Sequence, residues 1–375
     1  MATEQVDTDL EIPAEARDVR IIDLDFHMNP TEDQLIGYVE DDAAREKLST
    51  EFGMLPRKAK SDAAYAIPGG NEGLFTQGKA EAAEDVKLAA DKFAIDEPIV
   101  NVGLNNTPTQ HNPVLKNAIV QAANDFALDQ VIPEDLYCLM MVPQWDPEHA
   151  AEEIRRVGDE DGFIGAYGWF GPFALFGETR FDPMFEALVE HDLPLVLHGS
   201  LSMWPQNTPV GDNMLSWTEM LGLDWPVFAQ VNVANMIMSG LFDKFPSLNV
   251  IIEEGGHWWI PFLRYRLDEF YEMHPDDIII QPRKHEMGER RLGRKPSEYL
   301  RDNVYVTTQP MAPPERTRDT KQMLEQSMAE DTFLYSSDWP HQTLDPATWA
   351  FRNPAFDDDL SKAILHENAE DLFGI

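Results

Sequence analysis

The chain has 375 residues, of which 43% are hydrophobic, and its 29 Lys and Arg against 67 Asp and Glu give a formal net charge of −38. That excess repels phosphates and excludes nucleic acid as a partner. The hydrophobic content, with nine Trp and twenty Phe, excludes a disordered polyanion.

No apolar run reaches the roughly 18 residues of a membrane span, and the acidic tail over 1–18 lacks a signal-peptide pattern. A lone cysteine, Cys138, cannot form an intramolecular disulfide and fits a reducing, cytoplasmic setting. The acids are spread along the chain and match adaptation to concentrated salt, where the Debye length shrinks to about 3 Å at 1 M.

In chain order, the first β-rich run is Arg20–His27, closing on Asp25-Phe26-His27. A charged excursion over 28–82, holding Pro68-Gly69-Gly70, predicts a cap, followed by a helix near Ala82–Phe93. Strand-like runs follow at Pro98–Leu104, Leu136–Val142, Gly162–Gly168 and Leu193–His198. Between them lie helical patterns at Asn112–Leu128, Asp146–Arg156 and Asp182–His191, opening Asn-Pro, Asp-Pro and Asp-Pro, a cap followed by an N1 proline. A second long loop, Gly199–Asp224, precedes a helix at Trp225–Phe242. The last strands are Leu248–Glu254, Asn303–Thr308 and Thr332–Asp338, with helices near Trp258–Glu272, Glu315–Met328 and Leu360–Phe373 and a basic excursion over 272–300.

The strands are continuous apolar runs, the pattern of strands covered on both faces. Eight of them alternating with helices predict one domain over 1–375, a (β/α)8 TIM barrel with a cap-like insertion after strand 1 and long loops after strands 5 and 6. A doubly wound sheet would show a glycine-rich turn after strand 1, where Asp25 and His27 stand instead.

Residues i and i+2 on a strand share a face, so Asp25 and His27 point together into the barrel mouth. His198 ends a purely apolar strand and Asp338 ends the eighth. Each alone reads as a solvated turn, a core histidine or a helix cap. Together, at one end of one barrel, two imidazoles and two carboxylates suit zinc, manganese or iron(II).

These residues, with Glu254-Gly-Gly-His-Trp-Trp-Ile-Pro-Phe, Lys295-Pro-Ser-Glu-Tyr, Thr307-Thr-Gln-Pro310, Ser337-Asp338-Trp-Pro-His341 and Glu367-Asn-Ala-Glu-Asp-Leu-Phe-Gly, span nearly the whole chain. In this the chain resembles the amidohydrolase-related TIM-barrel family, in the branch of aminocarboxymuconate semialdehyde and resorcylate-type decarboxylases. The resemblance implies Asp25, His27, His198 and Asp338 as ligands of one divalent ion, zinc first and manganese or iron next, with Asp338 also transferring the proton. It implies non-oxidative decarboxylation of a small carboxylated cyclic or unsaturated compound, usually by a homo-oligomer. Hydrolysis of an amide or lactone on the same site is the alternative, and a non-catalytic barrel the third reading.

Three departures matter. Strand 1 carries Asp25 where much of the superfamily has histidine, although Glu-x-His occurs in resorcylate-type decarboxylases. Strand 4 has no lysine to bridge a second metal. Strand 6 ends in Glu254, which cannot donate a hydrogen bond while ionised, so His257 is the expected replacement for the family's strand-6 histidine.

Arg266, at a position that recurs in the family, is the expected carboxylate-binding group, with Arg264 and Arg180 as further candidates; a surface arginine paired with one of the many acids is the favoured alternative for each of the three. His341 and Gln309 are expected against substrate, with Thr307 and Thr308 beside them. Trp204, Trp217, Trp258 and Trp259 read as lid or core, and His111, His149, His191, His274, His285 and His366 as surface.

Overall fold

The computed structural model describes residues 12–49, 80–102, 112–170, 175–199, 222–223, 225–274, 292–341 and 343–375. Eight strands form one sheet in sequence order: β1 Ile22–Met28, β2 Glu97–Val102, β3 Cys138–Met141, β4 Phe163–Trp169, β5 Leu195–His198, β6 Val250–Glu253, β7 Val304–Thr307 and β8 Phe333–Leu334. Every neighbouring pair is parallel.

The last strand returns to the first. Leu24 N donates to Tyr335 O at 3.0 Å, and His27 N donates to Trp339 O at 2.8 Å. Phe26 and Trp339 form a parallel bridge. The expected (β/α)8 barrel is therefore present.

Alternation along β1 sorts the side chains. Ile22, Leu24, Phe26 and Met28 join the hydrophobic core, whereas Asp23, Asp25 and His27 are just as buried on the opposite face. Burying each large aliphatic side chain contributes about 1.5–3 kcal/mol. That layer of apolar contacts carries the cost of a polar lumen.

Expected helices appear with shifted ends: Pro113–Gln130 is capped by the Asn112 side chain and Pro147–Val157 by Asp146. The expected helix over Trp225–Phe242 stops at Met238, because Gly240 takes a left-handed φ of 75° before a short Leu241–Lys244 turn. The segment expected as Glu315–Met328 ends at Gln326, since Met328 is left-handed, and resumes over Ala329–Thr332.

Within the expected cap, two short helices, Glu32–Ile36 and Asp42–Leu48, are capped by Thr31 and Asp41. Tyr38 beside them packs edge-on against Phe126. Asn29 N donates to Ala80 O at 2.5 Å, so the insertion leaves and re-enters the barrel at one place. Residues 50–79 of that insertion, most of the Gly199–Asp224 loop and 275–291 of the basic excursion lie outside the described residues.

Candidate metal centre

At the C-terminal end of the barrel, side chains from β1, β5, the turn after β6 and the segment after β8 converge. His27 Nε2 lies 2.9 Å from Asp25 Oδ1 and 3.2 Å from Asp338 Oδ1. His198 Nε2 lies 3.6 Å from Asp25 Oδ2 and 3.0 Å from Glu254 Oε2. All five residues are buried. The structure thus brings together Asp25, His27, His198, Glu254 and Asp338, drawn from across the sequence.

Local backbone aims them. A register shift between Asp23 and Phe26 sets the end of β1. Glu254 and Asp338 are non-glycine residues at φ 52° and 60°. Such positions cost about 1–3 kcal/mol each and persist where the surroundings enforce them. His198 Nδ1 donates to the adjacent Gly199 carbonyl, which orients the ring with Nε2 toward the carboxylates. A Cβ on Gly199 would meet the Trp225 indole at 2.6 Å, so glycine there lets Trp225 lie edge-on to the His198 ring, 6.1 Å between centroids.

Second-layer bonds hold the acids. Asn101 Nδ2 donates to Asp25 Oδ1 at 2.9 Å. His341 Nδ1 lies 2.5 Å from Asp338 Oδ1, and Asp338 Oδ2 accepts from Thr343 Oγ1 and from Gln309 Nε2, the latter at 3.3 Å. Ser337 N donates to Asp23 Oδ1 at 2.9 Å beneath them.

The electrostatics divide the acids in two. Burial pushes Asp25 and Asp338 up, but imidazoles outweigh it: those of His27 and His198 hold Asp25 below the ordinary carboxylate range, and those of His341 and His27 do the same for Asp338. His27 is pulled down by burial, yet Asp25 and Asp338 raise it to about 10. Burial raises Asp23 to about 8. It also raises Glu253 and Glu254, and repulsion from Asp25 and Asp338 adds to both. Carboxylates crowded in a low-dielectric lumen repel unless a cation joins them.

Asp25 Oδ2, His27 Nε2 and His198 Nε2 are buried without a hydrogen-bond partner. Nitrogen and carboxylate donor atoms gathered at one buried point are the arrangement a divalent cation satisfies. Ligand atoms of Asp25, His27 and His198 lie within 4.8 Å of one another, as do those of His27, Asp338 and His341 and those of Asp25, Glu254 and Asp338. The donor set therefore fits one such ion.

Two sequence candidates are not brought to the cluster. His257 follows the Gly255-Gly256 turn, which carries its ring away. Its Nε2 donates to Met311 O at 3.0 Å, and the ring packs 5.0 Å from that of Phe333. Burial lowers this imidazole to about 4, so it stays neutral. Arg266 falls on the exposed face of helix Ile260–Met273, where it pairs with Glu269 and covers the Phe270 ring. Arg264 bonds Gln326 O, and Arg180 pairs with Glu178.

Thr307 and Thr308 are buried at the end of β7. His149 and His191 pair with Glu152 and Asp159, and His366 lies 3.2 Å from Glu370. Trp259 is buried and donates to Gly255 O, whereas Trp258 is exposed. His111, His285, Trp204 and Trp217 lie outside the described residues.

Sequence reasoning passed over Asn101, Glu253, Thr343 and Trp225. Asn101 had a signal, a lone amide side chain inside the apolar run Pro98–Leu104.

A family model described as Amidohydrolase matches residues 105–375. The chain belongs to the amidohydrolase family. A gamma-resorcylate decarboxylase of Polaromonas sp. is 28% identical over 295 residues, covering 76% of this chain and 84% of that protein. Another, of Rhodococcus jostii, is 27% identical over 312 residues, covering 77% and 87%. Among solved structures, 5-carboxyvanillate decarboxylase of Novosphingobium aromaticivorans, complexed with manganese and 4-hydroxy-3-methoxy-5-nitrobenzoic acid, superposes with a TM-score of 0.66 at 23% identity, covering 98% of this chain and 99% of that one. An amidohydrolase of Mycobacterium avium reaches 0.69 at 18% identity, covering 95% and 98%. These structural likenesses support the barrel fold.

Proposed function

We propose that this single-domain chain is a metal-dependent non-oxidative decarboxylase of a small carboxylated aromatic compound, with Asp25, His27, His198 and Asp338 holding one divalent ion. The observation that carries the reading is the set of buried, unmatched donor atoms on Asp25, His27 and His198, aimed at one point in a family whose relatives include gamma-resorcylate decarboxylases. Manganese stands ahead of zinc, since carboxylate oxygens suit it and solved neighbours carry it. We further read the −38 charge as adaptation to concentrated salt, in a cytoplasmic and oligomeric protein.

When bound, the ion supplies positive charge that anchors a carboxylate or hydroxyl oxygen of the substrate and stabilises developing negative charge. The chain's own residues handle the proton. Thr343 and Gln309 fix Asp338 through Oδ2, which leaves Oδ1 between His27 Nε2 and His341 Nδ1. The proton reaches the ring carbon through the Asp338–His341 pair as the C–C electron pair stays on that carbon and CO2 departs. Trp225 bounds the site beside His198.

The test is turnover of gamma-resorcylate and 5-carboxyvanillate by manganese-loaded protein in isotopically labelled water. The expected result is one CO2 per substrate consumed and one solvent deuteron at the vacated carbon. Oxygen-18 appearing in the product of an amide or lactone, with no CO2 from any hydroxybenzoate, would favour the hydrolase. A purified protein that holds no metal would favour the non-catalytic barrel.

A further inference from the structure

We propose that Glu254 is itself a ligand of the metal ion, so that the turn after β6 supplies an anchoring oxygen where the family resemblance leads one to expect a proton-donating histidine. This rests on the reading that the centre holds one divalent cation, and it assigns to strand 6 a task different from the expected one.

The backbone argues first. β6 ends at Glu253, and Glu254 is held at φ 52° with Gly256 close behind at φ 61°. That turn brings Glu254 Oε2 to 3.0 Å from His198 Nε2. The ring orientation argues next. His198 Nδ1 donates to Gly199 O, so Nε2 is turned toward Glu254 and Asp25. Two carboxylates and an imidazole nitrogen gathered at one buried point are a donor set that a divalent cation holds.

Reach is satisfied as well. Oxygens of Asp25, Glu254 and Asp338 lie within 4.8 Å of one another. Two ligands at about 2.0–2.2 Å from one ion stand at most about 4.4 Å apart, so sub-ångström closure gathers all three. Among the described residues no lysine or arginine pairs with these acids, and the imidazoles of His27, His198 and His341 are their only ionic partners.

The consequence is a centre of three carboxylates and two imidazoles. Carboxylate oxygens suit manganese and magnesium, whereas imidazole-rich sets suit zinc. Glu254 therefore tilts the metal preference toward the harder ion. It also leaves the Asp338–His341 pair, and not strand 6, as the source of the proton.

The test is metal binding, which is independent of turnover. Chelator-stripped full-length protein is titrated with Mn2+, and free Mn2+ is read from its electron paramagnetic resonance signal. Wild type is expected to take up one ion. Glu254→Gln is expected to weaken Mn2+ binding by at least about 10–100-fold and to lower the preference for Mn2+ over Zn2+ in competition. Asp25→Asn, a ligand on the underlying reading, should weaken binding as well.

Glu254→Gln binding Mn2+ as wild type does, while Asp25→Asn fails, overturns the assignment and leaves the centre intact. A wild type that takes up no divalent ion overturns both. Should Glu254→Gln fail to fold, Glu254→Asp keeps the charge with a shorter reach. An altered spectrum of its bound Mn2+ supports the assignment, and a spectrum identical to wild type overturns it.

Discussion

Glu153 and Glu254 are both buried carboxylates, and the protein treats them in opposite ways. Glu153, on helix Pro147–Val157, accepts from Asn124 at 2.7 Å and from Arg156 Nη2 at 2.7 Å, while Arg156 also reaches Asp125. Its charge is matched by the chain itself. Glu254 lies among Asp25, Asp338 and Glu253, and among the described residues imidazoles are the only side chains that can offer these acids positive charge. A structural acid is neutralised by a neighbour that comes with the fold, whereas the acids of a metal centre are left to a cation that arrives afterwards.

That contrast can be broken by experiment. The largest expected effect is at Asp338: Asp338→Asn should lower kcat by about 10²–10⁴-fold, because the proton route through Oδ1 is lost. Steady-state assay at saturating Mn2+ checks it. Next comes the cation's own contribution. At a thousand times its Kd, Mn2+ should stabilise the fold by about 4 kcal/mol, seen as a rise in unfolding midpoint that Asp25→Ala abolishes.

His257 sharpens the comparison from a third side, as a buried group kept neutral. Its folded value of about 4 lies below the ordinary 6.5. Between these values the unfolded chain binds a proton that the folded chain does not. The stability is thus complete above about pH 6.5 and lost as pH falls toward 4, by about 3 kcal/mol in all. His257→Gln should flatten that slope in chemical denaturation. A wild-type slope that the variant leaves unchanged would contradict it. The smallest effect is at Arg156→Ala, which strands Glu153. Because Arg156 is 39% exposed, the loss should be about 2 kcal/mol, below that of a fully buried pair, with Mn2+ affinity unchanged.

Much of this was legible in the sequence because the relevant signals are local. Apolar runs marked the strands other than β1, and on β1 the two-residue spacing of Asp25 and His27 put both on one face. His198 and Asp338 stood out as polar residues closing such runs. Helix starts at Asn112 and Asp146 were announced by Asn-Pro and Asp-Pro.

What the sequence hid depends on conformations set by tertiary contacts. Nothing in Glu253-Glu254 says that the strand stops at the first and that the second turns left-handed toward His198. The same holds for His257, which a glycine turn sends to Met311. Arg266 looked like a carboxylate anchor from motif spacing alone. The helix phase that places it beside Glu269 on the outer face was the stronger constraint. Asn101 was missed because one amide in an apolar strand reads as noise until Asp25 is seen across the register.

The central claim is that residues from three strand ends share one ion. Diffraction at the manganese absorption edge, on crystals of the Mn2+-loaded protein, tests it most directly. The account predicts a single anomalous peak per chain, within coordination distance of the facing atoms of Asp25, His27, His198 and Asp338 at once. A peak elsewhere, or no peak at full Mn2+ loading, would contradict it.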